Sequence, residues 1–188
     1  MKIQVVYGSK MEGTSGIASV IGVALLLCGI QVDTVRAEDA DPPRNYGAVI
    51  IGSGLYAGRW RRPARQFVAR NSSALHDIPT WFFSSGPLDD SALSRDIPPS
   101  RQVARLMARV GARGHATFGG RLLPDAKGFP ASSMAKTHAG DWRNADQINA
   151  WARRIVAELR LEPPPPGSES PVAMAAEQPT PTRALQPC

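Results

Sequence analysis

The residues best suited to chemistry lie in a short turn near the start of the chain. Ile3–Tyr7 is an apolar run typical of a buried strand, and Ile17 begins a second run at helical spacing. Between these runs lie Ser9, Lys10, Gly13 and Thr14. A turn from a strand into a helix directs backbone N–H groups and hydroxyls toward one point, beside the positive end of the helix dipole. The spacing therefore predicts an anion site, and phosphate is the usual anion.

Two common phosphate motifs are absent from this turn. No Gly-Lys-Ser/Thr ends it, and Gly8 and Gly13 do not have the G-x-G-x-x-G spacing of dinucleotide sites. Ser, Gly and Thr before a helix are also ordinary capping residues. Taken alone, the turn leaves helix capping open as its only role.

Apolar runs along the chain predict a sheet that positions this turn. Runs without polar alternation are typical of parallel strands buried on both faces. They are Ile3–Tyr7, Ile30–Val35, Ala48–Ile51, Thr80–Phe83 and His115–Phe118. Candidate helices alternate with them, at Ile17–Cys28, Arg61–Arg70, Ser100–Val110 and Asp146–Leu159. The alternation predicts an α/β fold, with an open parallel sheet and helices on both faces.

Glycine- and serine-rich segments follow the later strands. They are Gly52–Trp60, Ser84–Asp89 and Gly119–Arg121. Ligands of open α/β sheets bind at the carboxyl ends of the strands, where the winding direction reverses. Glycine lets the backbone approach a flat ring closely, and Tyr56 or Trp60 could stack on it. Glycine-rich turns are also common structural features of this fold class, so both interpretations remain open.

Composition limits the classes of protein. The chain has 188 residues, enough for one domain with a full core, and carries a net charge of +6. Arginines cluster at 59–70 and recur every four residues from Arg101 to Arg113. They form either a solvated face or a surface that attracts an anionic substrate or redox partner. No nucleic-acid recognition motif accompanies them, so a nucleic-acid partner is not expected.

The cysteines and the apolar segments predict a cytoplasmic protein. Cys28 and Cys188 form neither a disulfide framework nor a metal-binding spacing, which favours a reducing compartment, and no metal site is expected. Residues 13–32 are apolar and free of charge, yet their glycines and Gln31 favour a buried helix followed by a strand over a membrane span. We expect at most a peripheral membrane contact. The oligomeric state is not predicted.

The composition changes after residue 162. Prolines concentrate in residues 163–188 and aromatic residues are absent. Such a segment buries too little apolar surface to offset its ordering entropy. We therefore predict a folded domain over residues 1–162 and a disordered proline-rich tail over 163–188.

The order of the motifs resembles the flavodoxin-domain family that includes the FMN-dependent protoporphyrinogen oxidases. The matching segments are Tyr7–Lys10, Gly13–Thr14, Ile50–Ser53, Tyr56–Trp60, Phe83–Leu88, Phe118–Leu122 and Gly140–Arg143. The resemblance implies a flavodoxin-like five-stranded sheet of order 2-1-3-4-5. It also implies FMN as the cofactor.

The resemblance assigns roles to residues of this chain. Ser9, Lys10, Gly13 and Thr14 would hold the FMN phosphate. The flavin ring would lie between two segments, Ser53, Gly54, Leu55, Tyr56, Ala57 and Gly58 on one side and Ser84, Ser85, Gly86 and Pro87 on the other. Arg59, Trp60, Arg62 and Arg121 would meet a carboxylated substrate. No residue is assigned a catalytic role.

Three functions remain open from the sequence. The first is an FMN-dependent oxidoreductase that oxidises protoporphyrinogen IX in heme biosynthesis. The second is an electron-transfer protein of the flavodoxin type. The third is a module that kept the fold and lost FMN, because Glu12 places a carboxylate in the phosphate loop.

Overall fold

A computed structural model describes residues 1–9, 12–126, 135 and 139–161. Strands and helices alternate along these residues. They are β1 (Lys2–Gly8), α1 (Glu12–Leu27), β2 (Gln31–Arg36), β3 (Ala48–Tyr56), β4 (Arg59–Trp60), α2 (Arg62–Arg70), α3 (Ser72–His76), β5 (Thr80–Ser85), α4 (Ser91–Ser94), α5 (Arg101–Val110), β6 (Gly114–Phe118), β7 (Arg121–Leu122), β8 (Gly140–Asp141) and α6 (Ala145–Leu161). The predicted tail, residues 163–188, lies outside the described residues.

The main sheet has the predicted order. Its five parallel strands run β2-β1-β3-β5-β6. Counting these five strands along the chain gives 2-1-3-4-5, so the sequence-based prediction is confirmed. The strand order reverses between β1 and β3, which brings the ends of these two strands together at one edge of the sheet.

Helices cover both faces of the sheet, as the unbroken apolar runs predicted. Alternate residues of each strand point to opposite faces, so Val5 joins one core and Val6 joins the other. The first core packs α1 and α6 on the sheet through residues such as Ile21 and Ile155. The second core packs α2, α3 and α5 through residues such as Phe67.

The segment after the third parallel strand differs from the predicted loop. Strand β3 continues to Tyr56, turns at Ala57 and Gly58, and pairs antiparallel with β4. Ala57 has φ 49° and Gly58 has φ 72°. A two-residue hairpin turn with positive φ at both central positions matches the right-handed twist of its strands. The predicted loop Gly52–Trp60 is therefore a β-hairpin.

Local signals set the helix ends. Gly111 ends α5 in the left-handed conformation, and the hydroxyl of Ser100 accepts the N–H of Val103 at its start. Gly29, with φ 80°, follows α1 where the sequence predicted a helix stop. Helix α1 begins at Glu12, earlier than the predicted Ile17. None of the helices in the described part of the chain combines the length and apolarity needed to cross a membrane.

The packing of β3 predicts different costs for two glycine substitutions on the same strand. A Cβ on Gly52 would overlap the ring of Phe83, which is fully buried. A Cβ on Gly54 would lie 3.2 Å from the Tyr56 ring and 3.3 Å from the Thr14 hydroxyl. We expect Gly52→Ala to lower the free energy of unfolding by about 1–3 kcal/mol, since overpacking strains a full core. Urea denaturation of both variants measures this, and a loss for Gly54→Ala as large as that for Gly52→Ala would contradict it.

Candidate functional site

The amino end of α1 lies at the carboxyl edge of the sheet, as the turn sequence predicted. Gly8 ends β1, Ser9 follows it, and α1 begins at Glu12. The first N–H groups of a helix have no partner within the helix and attract anions. Thr14 is 4% exposed and its Oγ1 faces Gly54 on β3. Lys10 and the side chain of Glu12 are outside the described part of the structure.

Close backbone contacts bring the predicted loops together. A Cβ on Gly86 would lie 3.3 Å from the Leu55 side chain, so the loop after β5 lies against the end of β3. The N–H of Gly120 donates to the Pro87 carbonyl at 2.7 Å, which joins the loop after β6. A Cβ on Gly13 would lie 3.3 Å from the carbonyl oxygen of Arg121. We call the depression bounded by the ends of β1, β3, β5 and β6 the edge cleft.

The tip of the hairpin presents an aromatic ring. Tyr56 is 41% exposed and lies opposite Arg59 in the β3–β4 pair. The Arg61 guanidinium lies over this ring, with Cζ 5.5 Å from its centroid. Positive φ in a non-glycine residue such as Ala57 is uncommon and concentrates at functional sites. The tip therefore combines a ring suited to stacking with cationic groups.

Two predicted ligand-facing residues are interior instead. Trp60 is only 1% exposed, and its Nε1–H donates to the Ser84 hydroxyl at 2.9 Å. Its backbone N–H donates to Gln102 Oε1 at 2.8 Å. Ser84 is fully buried. The expected exposed, stacking position of Trp60 does not occur, because its ring packs on Phe82 at a centroid distance of 4.8 Å.

Ser53 is a further buried residue among those predicted to contact a ligand. Its hydroxyl donates to the Gly8 carbonyl at 3.1 Å and accepts the N–H of Arg61 at 3.1 Å. The side chain thereby ties the end of β1 to the hairpin. Ser53 and Ser84 lie beneath the edge cleft, and their hydrogen bonds hold the hairpin that forms one of its walls.

The predicted substrate arginines lie in different places. Arg59 and Arg62 are exposed near the hairpin. Arg121 lies against α1 instead, and its Nε is 3.7 Å from Asp141 Oδ2. Arg59 and Arg62 lie at β4 and the start of α2, whereas Arg121 begins β7 beside α1.

An ion pair beside α1 had no assigned role in the sequence. Arg143 binds Asp141 through both carboxylate oxygens, with Nε–Oδ1 at 2.8 Å. The Arg143 guanidinium lies against Gly16 in the first turns of α1, so it would have to move to admit a side chain there. Hydrogen bonding from Arg143 lowers the pKa of Asp141. The available signal was the acid and base two residues apart in Gly140–Arg143.

His115 is the more buried of the two histidines in the described part of the chain. Its Nε2 lies 3.0 Å from the Ser84 hydroxyl, which also accepts the Trp60 N–H. Burial lowers the pKa of His115 to about 4, although Asp96 opposes the shift. The imidazole is therefore neutral at pH 7, and the Trp60–Ser84–His115 chain joins the hairpin to β6.

A separate groove of about 580 Å³ runs along the open edge of β6. Its walls include Trp81, Arg95, His115, Gln147, Trp151 and Arg154. The groove shares none of the predicted cofactor residues. It is therefore distinct from the edge cleft.

Comparisons with known proteins agree with this architecture. The chain matches the family model described as "Flavodoxin domain" over residues 4–136. A flavodoxin from the domain Archaea superposes with a TM-score of 0.57 at 14% identity, covering 85% of this chain and 99% of that one. Oxidised flavodoxin 2 from Bacillus cereus gives a TM-score of 0.54 at 18% identity, covering 84% of this chain and 99% of that one.

The fold and the family match define a flavodoxin-like protein. Because the family model spans more than half of the sequence, the chain belongs to the flavodoxin-domain family. It is also 28% identical over 86 residues to protoporphyrinogen IX dehydrogenase (quinone) of Escherichia coli K12, across 45% of this chain and 48% of that protein. The match thus spans about half the length of this curated relative. The resemblance inferred from the motifs is confirmed.

The burial of His115 predicts a pH-dependent stability. Its pKa of about 4 in the folded state lies below its ordinary value of 6.5, so the unfolded chain binds a proton first as pH falls. The contribution of His115 to the free energy of unfolding is fully present well above pH 6.5. It is lost as pH falls from 6.5 toward 4, by at most about 3 kcal/mol. We expect His115→Gln to flatten the dependence of the unfolding free energy on pH between about 5 and 6.5.

The exposed His76 supplies the control. His76→Gln should leave that slope unchanged, because this imidazole lies at the surface. Urea denaturation at several pH values measures both variants. Equal slopes for the wild-type protein and His115→Gln would contradict the assignment.

Proposed function

We propose that this protein is an FMN-binding oxidoreductase of the flavodoxin type. The observation that carries the proposal is that the end of β3 and the segment after β6 lie against the start of α1, and the loop after β5 contacts both of them. A flavin supplies redox chemistry, while the protein supplies binding, orientation and electrostatics. The residues that line the edge cleft can perform these three tasks.

The phosphate of FMN would bind at the start of α1. The backbone N–H groups there, with the hydroxyls of Ser9 and Thr14, form a donor set suited to a phosphate. We assign Lys10 and Gly13 to the same subsite. A Cβ on Gly13 would lie 3.3 Å from the Arg121 carbonyl oxygen, so the segment after β6 lies close to this subsite.

The flavin ring would lie between the hairpin and the loop after β5. Gly54, Leu55, Tyr56, Ala57 and Gly58 form one wall in this proposal. Ser85, Gly86 and Pro87 form the other. The positive φ of Ala57 and Gly58 holds the hairpin tip in its bent shape, and Tyr56 offers the exposed ring that stacking requires. Ser53 and Ser84 support the walls from the interior.

We further propose protoporphyrinogen IX as the substrate, within heme biosynthesis. The partial match to a protoporphyrinogen IX dehydrogenase supports this choice. Such a substrate carries carboxylates, and the exposed Arg59 and Arg62 can pair with them. Arg121 is already engaged with Asp141, and Trp60 is interior, so these two residues support the site without meeting the substrate.

Electron transfer between proteins is the alternative function. It is favoured by solved flavodoxins that this chain matches over 99% of their length. Turnover of protoporphyrinogen IX separates the two functions. A module without FMN remains the third hypothesis, and the binding test below decides it.

FMN binding is tested by titrating flavin-free protein and following the quenching of flavin fluorescence. We expect one site, because the described chain has one amino-terminal phosphate subsite at the edge cleft. Riboflavin, which lacks the phosphate, should bind more weakly. Thr14→Val should weaken FMN binding about tenfold, the effect of losing one hydrogen bond to a charged group.

The matched control is Thr117→Val. Thr117 is buried on β6 and donates to the Ile97 carbonyl, away from the phosphate subsite. Its replacement should leave FMN affinity unchanged. Absence of FMN binding at high micromolar flavin would favour the third hypothesis and reject the proposed cofactor.

The substrate proposal predicts a kinetic effect at the hairpin. Replacing Arg59 and Arg62 with Gln should raise KM for protoporphyrinogen IX and leave FMN content unchanged. The difference should shrink as salt rises, because exposed charge pairs are screened within about 8–10 Å at 0.1–0.15 M salt. Arg153→Gln with Arg154→Gln, on the exposed side of α6, is the control of equal charge.

Two results of this experiment would contradict the substrate proposal. One is loss of FMN with unchanged substrate kinetics, which would reassign Arg59 and Arg62 to the cofactor. The other is an equal rise in KM for the control variant, which would indicate a general effect of net charge.

A further inference from the structure

A basic surface covers the side of the sheet formed by α2 and α5. These helices pack inward through Phe67 and Val103, which leaves their arginines outside. We define the α2–α5 face by its exposed arginines, Arg62, Arg70, Arg101, Arg105 and Arg109. The two helices lie against each other, so the arginines belong to one surface.

No acidic residue neutralises this surface from within its own helices. Neither Arg62–Arg70 nor Arg101–Val110 contains Asp or Glu. Among the described residues, none of the five arginines forms a salt bridge. Arg121 and Arg143 on the other side of the molecule contrast with them, because both contact Asp141.

The arrangement of charge is unfavourable for the helices themselves. Arg101, Arg105 and Arg109 follow one another at four-residue spacing, about 6 Å apart, and like charges at this spacing destabilise a helix. Arg62 and Arg101 also begin their helices, where the dipole disfavours cations. The buried contacts and the Ser100 cap therefore stabilise these helices, whereas the repulsion along α5 and the two cations at the helix starts oppose folding. An external anion would relieve this repulsion.

The chemistry of the surface favours an acidic protein over a membrane or a nucleic acid. Large exposed apolar side chains lie elsewhere, as with Val23 and Leu27 on α1, so this face offers nothing to insert into lipid. Neither helix exposes an aromatic ring for base stacking. Guanidinium groups form bidentate pairs with carboxylates as they do with phosphates, so the missing apolar and aromatic groups are what favour the acidic protein.

The face also adjoins the edge cleft. Both helices begin at the carboxyl edge of the sheet, and Gln102 near the start of α5 accepts the backbone N–H of Trp60 in the hairpin. We propose that the α2–α5 face docks the acidic surface of a partner protein and holds it beside the edge cleft. This docking depends on charge and requires no bound flavin, so it can be tested independently of the proposed cofactor.

The test uses the full chain and a fluorescein-labelled polyglutamate peptide as the acidic probe. Fluorescence anisotropy at about 0.1 M salt, where the screening length is about 10 Å, gives the dissociation constant. The variant replaces Arg101, Arg105 and Arg109 with Gln, outside the proposed cofactor and substrate residues. The control replaces Arg95, Arg153 and Arg154 with Gln. These three arginines are exposed near α6, away from the α2–α5 face, and their replacement removes the same charge.

We expect the α5 variant to weaken peptide binding about tenfold, as the loss of three exposed charge pairs would do. The control should change it little. Equal weakening in the two variants would overturn the proposal, because binding would then follow net charge alone. Dependence on the α5 arginines for duplex DNA or phosphatidylglycerol vesicles, without such dependence for the peptide, would also overturn it.

Discussion

The edge cleft depends on tight packing at three of its glycines. Gly13 lies against the Arg121 backbone, Gly54 against Thr14, and Gly120 against the loop that contains Pro87. These contacts join the start of α1, the end of β3 and the segments after β5 and β6, which together form a continuous boundary. The parallel sheet supplies the common edge, and glycine allows the loops to meet there. A function at this edge therefore depends first on how closely these segments pack, and only then on any reactive side chain.

Burial beneath the cleft gives this boundary its rigidity. Ser53 connects the end of β1 to the hairpin, and Ser84 connects Trp60 to His115 on β6. Buried polar groups that are fully hydrogen-bonded specify one arrangement, because any displacement leaves a donor or acceptor unpaired. The neutral His115 belongs to this support. Neither serine is exposed, so their role is positional.

In the part of the chain that the structure describes, charged residues are paired at the amino edge of the sheet but not on the α2–α5 face. At the amino edge, Lys2 and Tyr46 both contact Asp33, at 2.6 Å each. The hydrogen bond from Lys2 contributes most to the lowered pKa of Asp33, while burial raises the pKa of Tyr46 to about 12. These charges neutralise one another. On the α2–α5 face the arginines lack such partners among the described residues, which is why that surface is suited to an external anion.

Much of the fold could be predicted from the sequence because parallel strands are apolar throughout. The runs at Ile3, Ala48 and Thr80 marked strands, and glycines marked helix ends. The hairpin was missed because its glycines and Ser53 resemble a loop in composition, although they continue β3. The inward position of Trp60 depends on the register between β3 and β4, which no local pattern reveals. The contact of Arg143 with α1 joins segments far apart in the chain.

The central claim is that the four strand-end loops form one binding site. Amide NMR spectra of nitrogen-15-labelled protein during an FMN titration test it most directly. The account predicts that the amides of Thr14, Gly54, Gly86 and Gly120 shift along one saturation curve, while Gly114 and Ala116 in the separate groove stay unchanged. Shifts confined to that groove, or different saturation curves for the four loops, would contradict it.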